Sequence, residues 1–194
     1  HRPVIALLAG SRKQEIKANL RLMAEIAGTW NNDYQMVVAA APGIDDEFYR
    51  ECLGDNPATL LRGQTYRILQ HSLAALVTSG TATLETALFR VPQIVCYNMK
   101  AGRLANLGKK LLLKVPYISL VNLIASREVV PELVAADMNP TNLQGYMISI
   151  LPGGSARQRQ LRDYEEVAQK LGEPGAPAKT ARLMTEYLRN RQQH

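Results

Sequence analysis

Short apolar runs alternate with amphipathic stretches along most of this chain, and that alternation leaves few folds open. The runs are Val4–Ala9, Tyr34–Ala40, Ala58–Leu61, Leu73–Val77, Gln93–Tyr97 and Tyr117–Leu120. The first, Val-Ile-Ala-Leu-Leu-Ala, is continuously apolar, as a strand covered on both faces should be. Between the runs lie helical patterns. Ile16, Leu20, Met23 and Ala27 form one stripe, with Gly28 placed to cap its end. Asp45 and Asp46 open a short helix to Leu53, Thr65 caps another to Gln70, and a third runs from Thr81 to Arg90, closed by Pro92. Gly102–Lys114 reads as a further helix.

After the sixth run, Asn139-Pro140 starts a helix that ends at Pro152-Gly153-Gly154. Ser155 caps a long polar helix to Leu171. Residues 172–177, Gly-Glu-Pro-Gly-Ala-Pro, form a linker before a last amphipathic helix, Ala178–Arg189. The expected class is α/β: a Rossmann-like parallel sheet with helices on both faces, joined by right-handed crossovers, with C-terminal helices trailing. Residues 1–171 form the domain, 172–177 the linker and 178–194 a separate terminal helix.

Composition narrows the function. No apolar run approaches the ~20 residues that cross a bilayer as a helix. The two cysteines, Cys52 and Cys96, fall in different elements at no metal-ligand spacing and read as reduced thiols of a cytoplasmic protein. The three histidines are His1, His71 and His194, which disfavours a histidine metal site or triad. A net charge of +6 suits anionic ligands or an anionic membrane surface. With 6% aromatic residues and no interleaving of basic and aromatic positions, nucleic acid is not an expected partner. No nucleophile elbow, Walker pattern or Gly-x-Gly-x-x-Gly fingerprint is present.

Ligands of such sheets bind beyond the carboxyl ends of the strands. Two turns there carry anion-binding chemistry. Gly10-Ser11-Arg12 follows the first strand, and Arg12 can grip a diphosphate bidentately or simply pair with Glu15. Ser79-Gly80-Thr81-Ala82-Thr83 follows the fourth strand and opens a helix. Its backbone N–H groups and hydroxyls suit phosphate, Gly80 admits a close approach, and Glu85 one turn later can accept from sugar hydroxyls. The alternative is an ordinary capped turn. Gln64, in the turn after the third strand, can read the edge of a base. Asn122 is a lone amide in an apolar run, so it caps a turn or meets a ligand, with Arg127 and Glu128 just beyond. Gly102–Lys114 mixes lysines and leucines without an acid, which fits either packing on the sheet or contact with an anionic membrane.

Four segments in order, Leu-Leu-Ala-Gly-Ser-Arg-Lys-Gln-Glu-Ile (7–16), Thr-Ser-Gly-Thr-Ala-Thr-Leu-Glu (78–85), Pro-Gln-Ile-Val-Cys-Tyr-Asn-Met-Lys (92–100) and Tyr-Ile-Ser-Leu-Val-Asn-Leu-Ile-Ala-Ser-Arg-Glu-Val-Val-Pro-Glu (117–132), resemble the C-terminal half of lipid-A-disaccharide synthase. That family is an inverting glycosyltransferase of the two-domain GT-B type. The resemblance implies that residues 1–171 hold UDP-diacylglucosamine, whose sugar passes to lipid X (diacylglucosamine 1-phosphate) with release of UDP. It implies Gly10, Ser11 and Arg12 near the diphosphate, Ser79, Gly80, Thr81, Ala82 and Thr83 at phosphate, Glu85 at the ribose, and Asn122, Arg127 and Glu128 in the donor-site segment. Arg12 and Asn122 are the expected donor-side catalytic residues. Ala9 stands where the family commonly has Pro, and Val121 where it has Pro before Asn.

The resemblance further implies no cofactor and no metal, and a general base supplied by an N-terminal half that this chain lacks. The chain is expected to bind UDP without turning over. The last helix is expected to cross to that absent half or swap between two copies, in a protein peripheral to the inner membrane of a Gram-negative bacterium. Other UDP-sugar enzymes of this architecture, a hexosamine 2-epimerase or a peptidoglycan glycosyltransferase, remain open, as does a non-catalytic nucleotide-binding module.

Overall fold

The computed structural model describes residues 2–30, 32–78, 80–98, 116–172 and 175–191. Five parallel strands come from the first five apolar runs: β1 (Val4–Leu8), β2 (Gln35–Ala40), β3 (Ala58–Arg62), β4 (Ser72–Thr78) and β5 (Gln93–Tyr97). They alternate with α1 (Lys13–Gly28), α2 (Asp46–Leu53), α3 (Thr65–Gln70) and α4 (Thr81–Leu88). Then come α5 (Leu120–Ala125), β6 (Glu132–Val134), α6 (Pro140–Ile150), α7 (Arg157–Leu171) and α8 (Ala176–Arg191).

The sheet order is β3-β2-β1-β4-β5-β6, all parallel. The chain builds outward from β1 to β3, returns to the other side of β1 with β4, and builds outward again. The point of return lies between β1 and β4, and their carboxyl ends diverge there into loops on opposite faces.

Strand parity sorts the core into two faces. Ile5, Leu7, Met36, Val38, Leu76 and Ile94 pack with Ile16, Leu20 and Met23 of α1 and Leu143, Met147 and Ile150 of α6. The alternate residues Ala6, Leu8, Val37, Ala75 and Val77 meet Ile68 and Leu69 of α3. Val95 continues that second face with Ala87, Val121, Ala125, Tyr164 and Val167, from α4, α5 and α7. Continuous apolar runs are therefore required: every strand residue in the sheet's centre meets a helix on one side or the other.

Several boundaries differ from expectation: α4 ends at Leu88 rather than Arg90, Gln64 rather than Thr65 holds the N-cap position of α3, and α8 begins at Ala176, inside the segment expected to be linker. Residues 117–120 are not a strand. The Ile118 and Ser119 N–H groups donate to the Glu132 carboxylate at 2.9 and 3.0 Å, and the Ser119 hydroxyl accepts from the Asn122 N–H as the N-cap of α5. Backbone groups used in this way are not available to a ladder. The sixth strand is instead Glu132–Val134, paired with β5 through Val95–Glu132, Cys96–Leu133 and Tyr97–Val134. Gly28 ends α1 inside the helix, and Thr29 caps it, its hydroxyl donating to the Ile26 carbonyl at 2.8 Å. Ala156, not Ser155, holds the N-cap position of α7. The expected helix at 102–114 lies outside the described residues.

Candidate functional site

A cleft of about 740 Å³ opens at the carboxyl edge of the sheet, over β1, β2, β3 and β4. Leu8, Ala39, Ala40 and Thr78 contribute the strand ends, and the turns beyond them form the walls. The lining brings together Gly10, Ser11, Arg12, Gln64, Gly80, Thr81, Ala82 and Glu85, which the sequence scatters over 76 positions. Ser79 lies outside the described residues.

Local geometry explains why these turns stay open. Gly10 and Gly80 hold φ of +108° and +141°, backbone that side-chain-bearing residues rarely adopt. Gly80 precedes α4, whose first residues Thr81 and Ala82 line the cleft, and the first N–H groups of a helix lack the carbonyl partner that later ones have. Arg12 is largely exposed, 78% by side chain, and pairs with Glu15 at 3.3 Å. Glu15 also accepts from the Ser11 N–H at 3.2 Å. Glu85 is half-buried at the rim.

On the far wall, Gln64 precedes α3 and accepts from Arg67 at 3.1 Å. The Ala41 peptide is held at both ends: its N–H donates to the Tyr49 hydroxyl at 2.8 Å, and its carbonyl accepts from Arg62 at 2.6 Å. Arg62 also pairs with Asp46. The loop at Ala41-Pro42 is thus fixed as a wall. Sequence reasoning did not single out this loop, Tyr66 or Arg67, and named Glu15 only as a salt-bridge partner of Arg12, which it is. Tyr66 is 58% exposed and its ring lies 5.3 Å from that of Phe89. Only the loop at Ala41 carried the signal of directly following a strand end; Tyr66 and Arg67 lie inside α3 and Glu15 inside α1.

Thr83 lies beside the cleft but is fully buried, and its hydroxyl donates to the Gly80 carbonyl at 2.8 Å. It shapes the turn and does not face the opening.

Asn122, Arg127 and Glu128 lie elsewhere. Asn122 is fully buried. Its Nδ2 donates to the Val130 carbonyl at 2.9 Å and to Glu132 at 2.8 Å. Its Oδ1 accepts from the N–H groups of Val129 and Val130 at 2.7 and 3.0 Å. An amide has two N–H donors and two acceptor sites, so none is left for a ligand. Arg127 pairs with Asp163 at 3.0 Å and Glu166 at 2.5 Å on α7. Lys170 and Arg127 together hold Glu166 down to about 2. Glu128 lines a separate surface groove with Asn142, Tyr146 and Arg159.

Among the described residues no group of three or more His, Cys, Asp and Glu side chains could hold a metal ion, and no helix is long and apolar enough to cross a membrane. Burial alone pushes the Cys96 thiol well above its usual range, which makes it an inert core residue.

A parallel sheet in this order, with a cleft at its point of return, is a Rossmann-like α/β unit, the kind of domain from which GT-B glycosyltransferases are built. The calicheamicin glycosyltransferase CalG4 superposes with a TM-score of 0.59 at 17% identity, over 96% of this chain and 42% of that one. The glycosyltransferase SnogD from Streptomyces nogalater gives 0.52 at 18% identity, over 96% and 44%. At such identities the likeness concerns the fold.

Residues 1–186 match the family model for lipid-A-disaccharide synthetase, and the chain belongs to that family. The lipid-A-disaccharide synthase of Solibacter usitatus is 32% identical over 196 residues, all of this chain and 51% of the relative. That of Anaeromyxobacter dehalogenans (strain 2CP-C) is 35% identical over 194 residues, 97% of this chain and 50% of the relative. The chain spans about half the length of these curated relatives.

Proposed function

We propose that this chain is the donor-binding half of a lipid A disaccharide synthase and that its cleft takes the UDP portion of UDP-diacylglucosamine. The observation that carries this reading is convergence. The turns after β1 and β4, the two with anion-binding chemistry, meet in one cleft at the sheet's point of return. The chain also belongs to the family, whose named members are synthases of lipid A disaccharide.

In this reading Ser11 and Arg12 bind the diphosphate, with Gly10 permitting the approach. The N-terminus of α4, at Gly80, Thr81 and Ala82, takes the second phosphate. Glu85 accepts from ribose hydroxyls, and Gln64 reads the base edge. Thr78 supports a polar occupant: its hydroxyl is buried at the cleft and has no partner among the described residues, where such groups are normally paired.

The chemistry is displacement at the anomeric carbon by the lipid X hydroxyl, with inversion. The UDP oxygen leaves with the bonding electrons. Arg12 and the N–H donors stabilise the charge that grows on it. The base that takes the acceptor's proton comes from the other half of the protein. Asn122, Arg127 and Glu128 have no part at the cleft in this proposal. The lipid substrates place the protein at the cytoplasmic face of the inner membrane of a Gram-negative bacterium. α8, which presents Leu183, Met184, Tyr187 and Leu188 to solvent, packs on the half of the enzyme that this chain does not span. Deleting α8 should then abolish association with that half expressed separately, and undiminished association would refute the assignment.

Thermal melting of the 194-residue chain tests the cleft. UDP at millimolar concentration raises the melting temperature by mass action, whereas CMP and inorganic phosphate raise it less. A folded protein with no shift in UDP would sink the proposal.

A further inference from the structure

The donors at the head of α1 are not idle. The Ser11 N–H and the Arg12 guanidinium both point at Glu15, which takes one on each carboxylate oxygen, Oε2 at 3.2 Å and Oε1 at 3.3 Å. Glu15 lines the cleft and its side chain is 15% exposed. Gly10 makes this possible. A Cβ there would sit 2.6 Å from Glu15 Oε2 and 2.8 Å from Glu15 Cβ, so no other residue leaves room for the carboxylate to fold back over the turn. The result is a bound anion, supplied by the protein, on the two donors expected to meet a diphosphate.

A backbone N–H carries one proton. Ser11 cannot serve Glu15 and a phosphate oxygen fully at the same time, and two anions at hydrogen-bond distance of one donor repel. Arg12 has five N–H groups and can change partner freely, as its exposure allows.

We propose that Glu15 is an internal stand-in for the ligand's phosphate: its carboxylate holds the Ser11 N–H and Arg12 in the empty cleft and is displaced when a nucleoside diphosphate binds. This rests on the reading of the cleft as a UDP site and adds what selects the ligand. A small anion must displace Glu15 with nothing but its own charge. UDP also contributes contacts from its base, ribose and second phosphate, and those offset the displacement. Glu15 thereby sets a threshold that free phosphate does not cross.

Titration calorimetry of the wild-type chain and Glu15→Gln with UDP and with inorganic phosphate tests the inference. Glutamine keeps the size and removes the charge. E15Q should bind UDP about two- to fivefold more tightly, the range expected for removing one partly exposed like charge. It should bind phosphate with a larger relative gain. UDP binding that is unchanged or weaker in folded E15Q overturns the inference and leaves the UDP reading standing, because it makes Glu15 a support for Arg12. No UDP binding by either protein overturns both. A structure of the wild-type chain with UDP gives a second readout, independent of how E15Q folds. It should show a phosphate oxygen on the Ser11 N–H and Glu15 turned away. Glu15 still bonded to Ser11 in that complex would overturn the inference.

Discussion

The cleft turns and the segment from Tyr117 to Glu132 begin alike, as an apolar run followed by small and polar residues. At the cleft, Gly10 and Gly80 open the backbone, Arg12 reaches into solvent and the first residues of α4, Thr81 and Ala82, line the opening. At 117–132 the polar groups turn on one another. Asn122 spends its amide on Val129, Val130 and Glu132, and Glu132 spends its carboxylate on Ile118, Ser119 and Asn122. The cleft keeps spare hydrogen-bonding capacity in the exposed Arg12 and the unpartnered Thr78 hydroxyl, although Glu15 holds part of it, whereas the Asn122 amide has none left, so residue type does not separate a binding site from a structural lock. What separates them is whether the valences are already filled.

Substitution should expose that difference. The largest effect is expected from Asn122→Ala. It strands two buried N–H groups, a carbonyl and part of the Glu132 carboxylate, at about 1–3 kcal/mol for each group left unpaired. The melting temperature should fall steeply while UDP affinity, measured below the transition, stays within twofold. A loss of affinity in folded protein would return Asn122 to the donor site and erase the contrast. Arg12→Ala should do the reverse. UDP affinity drops by about ten- to a hundredfold, as for a charged hydrogen bond of about 1.5–3 kcal/mol, and stability hardly changes because the exposed Arg12–Glu15 pair contributes little. A large loss of stability with normal affinity would make the β1 turn another lock. The smallest effect is expected from ending the chain at Gly172. The described side chains of α8 are exposed from Ala178 through Arg189, so melting and UDP binding of the remaining domain should stay as they were.

The β/α alternation was legible because each element announces itself over a few residues. Val4–Leu8 is apolar throughout, α1 repeats Ile16, Leu20 and Met23, and Asn139-Pro140 starts a helix with a cap that the structure shows accepting from Asn142. The two turns that flank the point of return were legible for the same reason. Glycine and small polar residues after an apolar run mark a strand-to-helix junction wherever they occur.

The sequence by itself therefore determined the fold class, the strand-end turns and the family to which their order belongs. Only the tertiary structure decided which polar residues face a ligand. Ile118-Ser119 reads as strand because its partner in hydrogen bonding, Glu132, is 13 or more positions away. Glu15 reads only as a pairing partner for Arg12, because its fold back onto Ser11 depends on the side chain that Gly10 lacks. Helix and strand preferences act between near neighbours, whereas the filling of a hydrogen-bonding valence depends on whatever the fold brings within 3 Å.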